Sequence, residues 1–149
     1  VIRIDVALDH EPFAVDVERL RKAVTLILKD AGFKRGAISL AIVDDATIHD
    51  VNRKFLNHDE PTDVISFVLE EDDASIEAEL VLGADTAART AAELGVSPGD
   101  ELLLYAIHGA LHLVGYDDLS DEPRVEMRAA EQKYLAQFGV VLPGPSADA

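Results

Sequence analysis

The sequence predicts an α/β (α+β) fold: a small four-stranded mixed sheet packed with about five helices. Three observations predict it. Segments with strand periodicity are interleaved with segments of helical periodicity. One helical segment after residue 98 is apolar nearly all the way round, which marks it as the centre of the structure. And 149 residues, 48% of them apolar, are about one domain's worth of chain, long enough to bury roughly 68–70% of the unfolded surface without disulfides or other staples.

The elements follow in order. Val1 to Leu8 alternates Ile2, Ile4, Val6 and Leu8 with Arg3 and Asp5, the pattern of a half-buried strand. Residues 16–31 carry Val17, Leu20, Val24, Ile27, Leu28 and Ala31 at helical spacing, with Gly32 as the stop. Ala37 to Val43 is a short β-branched run, expected as a buried strand. Asp44 or Asp45 can cap the next helix, which holds Ile48, Val51 and Phe55 on one side. Asp63 to Leu69 and Glu77 to Leu82 read as strands, and the acidic stretch Glu70 to Asp73 between them reads as a solvated connection. Residues 85–94 form an alanine-rich helix ended by Gly95. Ser97, Pro98 and Asp100 then place a cap, a proline at the first helical position and an acid at the third. The helix they start runs through Val114, and Gly115 ends it. A last, amphipathic and highly charged helix spans roughly 121–137. One domain is expected over 1–142, followed by a disordered tail, 143–149, of small residues and proline.

Composition narrows the function. With no cysteine, a disulfide scaffold, a thiolate zinc finger and a cysteine nucleophile are excluded. No apolar run is long enough to span a bilayer, and no basic segment followed by an apolar one opens the chain, so a soluble, non-secreted domain is expected. The net charge is −16. Residues 1–54 balance, with 9 basic and 9 acidic groups, while residues 55–149 hold 4 basic and 20 acidic ones. Such a chain repels nucleic acid non-specifically. A locally positive face is available only from Lys34, Arg35, Arg53 and Lys54. The plainest use of the acidic excess is a solubilising surface.

The chemistry concentrates at His108-Gly109-Ala110-Leu111-His112 and the turn beyond. Histidines four apart share one helix face, with Cβ atoms about 6 Å apart. Gly115 can take a left-handed conformation and turn the chain back, so that Asp118 returns to that face as a third ligand. Two imidazoles and one oxygen ligand suit one zinc ion per chain, with iron, nickel and manganese as alternatives. Three protein ligands leave a position for water, a catalytic rather than a structural site. The competing explanation is a pair of hydrogen-bonded core histidines. Burying two imidazoles without partners costs several kcal/mol on the order of the usual polar-burial penalty, which an ion would remove. Zinc peptidases place a glutamate general base directly after the first histidine; here that position is Gly109. Asp117 is the nearest acid, and it could equally be a turn acid capping the last helix. His10, His49 and His58 read as surface groups.

At these residues the sequence resembles the bacterial YbeY-like family of ribosomal-RNA maturation factors, which are metal-dependent endoribonucleases. Two stretches carry the resemblance. One is H-G-x-L-H-L-x-G-Y-D, met by His108, Gly109, Leu111, His112, Leu113, Gly115, Tyr116 and Asp117. The other contains Asn52, Phe55, Asp59, Pro61, Thr62, Asp63, Val64, Ile65, Ser66 and Phe67. The resemblance implies a metallopeptidase-like core with one metal and a hydrolase that cleaves single-stranded RNA. It also implies work in rRNA processing, ribosome biogenesis and ribosome quality control, in the cytoplasm. The expected partners are rRNA or the small ribosomal subunit, with ribosomal proteins or an assembly GTPase, and no membrane. The metal ligands carried over are His108, His112 and Asp118, and the catalytic group is left as a water on the metal.

Two departures stand out. Asp118 replaces the family's third metal-binding histidine, and Leu56 stands where the family has an arginine for phosphate. Arg53 and Lys54, a turn earlier, are the substitute substrate-binding cations, unless they form an ordinary solvated helix face. Asn52 is either a helix-surface or a site residue, and Thr62, Asp63 and Ser66 can simply shape a turn and strand. Two other functions compete: a metal-stabilised ribosome-assembly binding factor with little turnover, favoured by the acidic charge and Leu56, and a metallohydrolase of other specificity, which rests on fold likeness alone.

Overall fold

A computed structural model describes residues 1–57, 62–117 and 119–143. His58, Asp59, Pro61, Asp118 and the expected tail beyond Pro143 lie outside the described residues. The elements are β1 (Ile2–Leu8), α1 (Val17–Asp30), β2 (Arg35–Val43), α2 (Asp45–Leu56), β3 (Val64–Glu71), β4 (Ser75–Gly83), α3 (Ala84–Leu94), α4 (Pro98–Leu113) and α5 (Asp121–Gln137). The four strands and five helices among the described residues match the expected architecture.

The strand order is β1-β2-β4-β3. β1 and β4 run parallel to β2, and β3 runs antiparallel to β4 along one edge. Period-two alternation sends Ile38, Leu40 and Ile42 of β2, with Ile76, Ala78, Leu80 and Leu82 of β4, into the main core, where α1, α3, α4 and α5 pack. Val43, Ile65 and Val81 point to the other face, where they pack with Ile48 of α2. The expected central helix is α4: Leu102, Leu103, Ala106, Ile107, Ala110 and Leu111 are all buried.

Several boundaries differ from expectation for identifiable reasons. β2 begins at Arg35 because Arg35 and Gly36 pair with Ser75 and Ile76, a long-range match that local β-propensity does not report. The acidic stretch is only half a connection. Glu70 and Glu71 complete β3, and Asp72 closes the hairpin by accepting the Ala74 and Ser75 amides at 2.9 and 2.8 Å. Register slips between Val68 and Glu70, leaving Leu69 as an extra residue, a β-bulge on the sheet edge. Asp44, not Asp45, caps α2, accepting the Thr47 amide at 2.8 Å. Asp45 instead holds Arg89 of α3 at 2.7 Å. Ser97 occupies the cap position of α4, but its side chain makes no capping hydrogen bond. Asp100 reaches away to Arg19 of α1, at 3.0 Å. His10 is not a plain surface group: its Nε2 sits 2.7 Å from Asp85 Oδ1, tying the end of β1 to the start of α3. Burial pushes the Asp85 carboxyl up, but His10 and the Asp45 amide pull it further down, so its net shift is downward.

No helix among the described residues is long and apolar enough to cross a membrane.

Candidate metal and RNA site

Helix α4 presents His108 and His112 on one face, both half-buried. Their rings lie 4.6 Å apart between centroids at 75°, and their Nε2 atoms approach to 3.1 Å. Two nitrogens bound to one tetrahedral zinc at ~2.0–2.1 Å would sit roughly 3.3 Å apart. The observed separation therefore fits a shared cation with little movement. His108 Nδ1 lies 2.5 Å from Glu131 Oε2 of α5. With that carboxylate accepting from Nδ1, His108 presents a lone pair at Nε2. Two facing lone pairs repel, so either a proton on His112 or a cation must lie between the rings.

The histidines open into a cleft of about 380 Å³ lined by Leu56, Asp63, Val64, Ile65, Ser66, Val68, His108, His112 and Leu113. One wall is the edge strand β3. It stands close to α4 because Gly109 has no side chain. A Cβ there would lie 2.8 Å from Val64 Cγ2 and 2.9 Å from Leu80 Cδ2. Ser66 Oγ donates to the Gly109 carbonyl at 3.1 Å across the same gap. Any side chain at position 109 would have to displace these methyl groups, so the close approach of β3 disfavours the glutamate base of the zinc-peptidase arrangement. The glycine that stands where a peptidase has its base lets β3 pack closely on α4.

Beyond His112, Gly115 takes φ +104°, the left-handed region expected of the turn. The Tyr116 amide reaches back to the Leu111 carbonyl at 3.0 Å. The third expected ligand, Asp118, lies outside the described residues. Among the described residues no group of three or more His, Cys, Asp or Glu side chains is placed to hold a metal ion. Asp117 is a turn acid: it accepts the Leu119 amide at 3.2 Å, is exposed, and leaves the cap position of α5 to Ser120.

The second motif divides. Asp63 lines the cleft and accepts from the Val64 amide at 2.8 Å and the Thr62 hydroxyl at 3.2 Å. The turn role read for Thr62 and Asp63 is present, and Asp63 is also a wall of the cleft. Asn52 is buried at 4% exposure, so it is not a helix-surface residue. Arg53 and Lys54 lie on the exposed side of α2. Both pair with Asp50, at 2.7 and 3.0 Å, and together they hold its carboxyl below the usual range. Leu56 of the same helix does face the cleft.

Sequence reasoning missed Glu131. A signal was available: Met127, Ala130, Tyr134 and Leu135 form the buried stripe of α5, and Glu131 is a charge set on that stripe.

Comparison with known proteins follows the same lines. The family model described as Endoribonuclease YbeY matches residues 6–139. A Rhodopirellula baltica protein named Endoribonuclease YbeY is 51% identical over 114 residues, covering 75% of this chain and 59% of that one. A Salinibacter ruber protein of the same name is 36% identical over 146 residues, covering 93% and 91%. The solution structure of TM1509 from Thermotoga maritima superposes with a TM-score of 0.63 at 28% identity, covering 91% of this chain and 88% of that one. By its motifs, its fold and these matches, the chain belongs to the YbeY endoribonuclease family.

Proposed function

We propose that this chain cuts single-stranded RNA during rRNA maturation and ribosome quality control, in the cytoplasm, with one zinc ion held by His108, His112 and Asp118. The observation that carries the reading is the pair of Nε2 atoms 3.1 Å apart where α4 meets an open cleft. Such an ion, when bound, supplies the positive charge that stabilises an attacked phosphoryl oxygen. The chain's own groups do the rest. Asp63 is the wall carboxylate placed to take a proton from the attacking hydroxyl. Ser66 is committed to the Gly109 carbonyl and serves as a spacer rather than a nucleophile. Leu56, Val64, Val68 and Leu113 supply the apolar lining against which a sugar or base packs. Arg53 and Lys54 release Asp50 and turn to flanking phosphates. Small-subunit rRNA and its proteins are the partners this reading names.

The test is cleavage of a synthetic single-stranded rRNA fragment by highly purified protein. Chelation, His112→Ala and Asp118→Ala are each expected to abolish it while the variants stay folded. Equal cleavage by the variants would overturn the reading. A cyclic phosphate on the product identifies a ribose hydroxyl as nucleophile; a linear phosphate identifies water.

A second reading, a ribosome-assembly binding factor with little turnover, is favoured by one specific observation. Leu56 lines the cleft where the family carries an arginine, on a chain of net charge −16. Absence of cleavage by metal-loaded protein, with retained binding to basic ribosomal proteins, would establish it.

A further inference from the structure

We infer that Glu131 is a positioning residue for His108: by accepting the Nδ1–H it fixes the tautomer whose Nε2 lone pair faces the cleft. Glu131 is buried, at 7% exposure, with Oε2 2.5 Å from His108 Nδ1. An ionised carboxylate can only accept, so Nδ1 must carry the hydrogen, and a neutral imidazole then has its lone pair at Nε2. That nitrogen is the one 3.1 Å from His112 Nε2.

The carboxylate is itself held in place. α5 packs on α4, and Tyr134, three residues on from Glu131, donates its hydroxyl to Asp30 Oδ2 of α1 at 2.7 Å. Burial and that carboxylate push the Tyr134 phenol far above its ordinary range, which keeps it a donor. The ring of His108 is thus oriented through α5 from a helix that contributes nothing to the cleft lining. A buried carboxylate on the outer nitrogen of an imidazole also raises the basicity of the inner one, and losing such a partner costs roughly 10–100-fold in metal affinity.

The value of this arrangement to catalysis rests on the metal reading proposed above; the tautomer does not. Both are read on the intact 149-residue chain. Long-range 1H–15N spectra of metal-free protein, at a pH where the ring is neutral, report which nitrogen of His108 bears the hydrogen. Zinc affinity is measured by chelator competition. Wild type is expected to show Nδ1–H. Glu131→Gln, whose amide oxygen still accepts, is expected to keep that tautomer. Glu131→Ala is expected to lose it and to bind zinc roughly 10–100-fold more weakly. Glu131→Leu, which fills the volume without an acceptor, replaces the alanine variant should that one unfold. An unchanged His108 tautomer in the alanine or leucine variant would overturn the inference, whatever the affinities. Failure of wild type to bind zinc, with the tautomer nonetheless set by Glu131, would sink the metal reading and leave the positioning role standing.

Discussion

The two ends of helix α4 bury polar groups on different terms. At the amino end, Glu101 is 4% exposed and its Oε1 has no hydrogen-bond partner. Burial pushes its carboxyl up, a hydrogen bond from Tyr105 opposes the rise in part, and the charges of Asp63 and Glu131 add to it. At the carboxyl end, His108 has a carboxylate on one nitrogen and His112, its neighbour in the cleft wall, at the other. One end hides a polar group where it is costly to ionise; the other holds a polar group ready for a ligand. Burial alone therefore does not mark a functional residue. A half-buried group oriented by a carboxylate on one side and set in a cleft wall on the other is the better sign.

After loss of a ligand histidine, the largest expected effect lies in the cleft that the carboxyl end faces. Asp63→Asn is expected to cut single-turnover RNA cleavage by roughly 10²–10⁴-fold, the usual worth of a general base, while the melting temperature stays within a few degrees. Cleavage at the wild-type rate would remove Asp63 from the chemistry and blur the contrast between the two ends. Next is Gly109→Ala. The methyl would meet Val64 and Leu80 below 3 Å, and overpacking of this kind costs about 1–3 kcal/mol. Urea denaturation reads the loss; an unchanged midpoint would mean that the sheet edge gives way easily.

The amino end supplies smaller effects. Asp100→Ala leaves the half-buried Arg19 without its ion partner, beside an Nε that already lacks one. A loss of about 1 kcal/mol is expected, with cleavage unaffected. Smallest is Glu101→Gln. The folded-state carboxyl titrates above the unfolded one, so between the two the folded chain holds the extra proton and stability falls as pH rises. A neutral amide in its place would remove that decline. The variant is expected to match wild type in acid and to exceed it above the carboxylate range, read from thermal unfolding across pH. A parallel pair of curves would show that Glu101 is not desolvated.

Much of this was legible in the residues, and the parts that were not share a cause. α5 runs over the expected 121–137 because its charge pattern and flanking turn are local signals. Gly115 turns the chain as its position after an apolar helix implies. His108 and His112 meet because four residues is about one helical turn. By contrast, the start of β2 depends on a strand forty residues away, and Asp100, read as part of a local helix-start signal, pairs with Arg19 of a helix far off in sequence. Glu131 was hidden among Asp121, Glu122 and Glu126, which share its chemistry but not its burial. Sequence reports what a residue can do with near neighbours; the partner that decides its role is often distant.

The bulge at Leu69 has a consequence for how the molecule behaves among its own kind. β3 is an outer strand with apolar Val68 and Leu69 exposed, the sort of border on which stacked fibrils grow. The extra residue breaks the hydrogen-bond rhythm there, and Glu70 and Glu71 charge the stretch that follows. Crowded copies meeting along this border would find mismatched rungs and like charge, which disfavours edge-to-edge pairing beside the cleft.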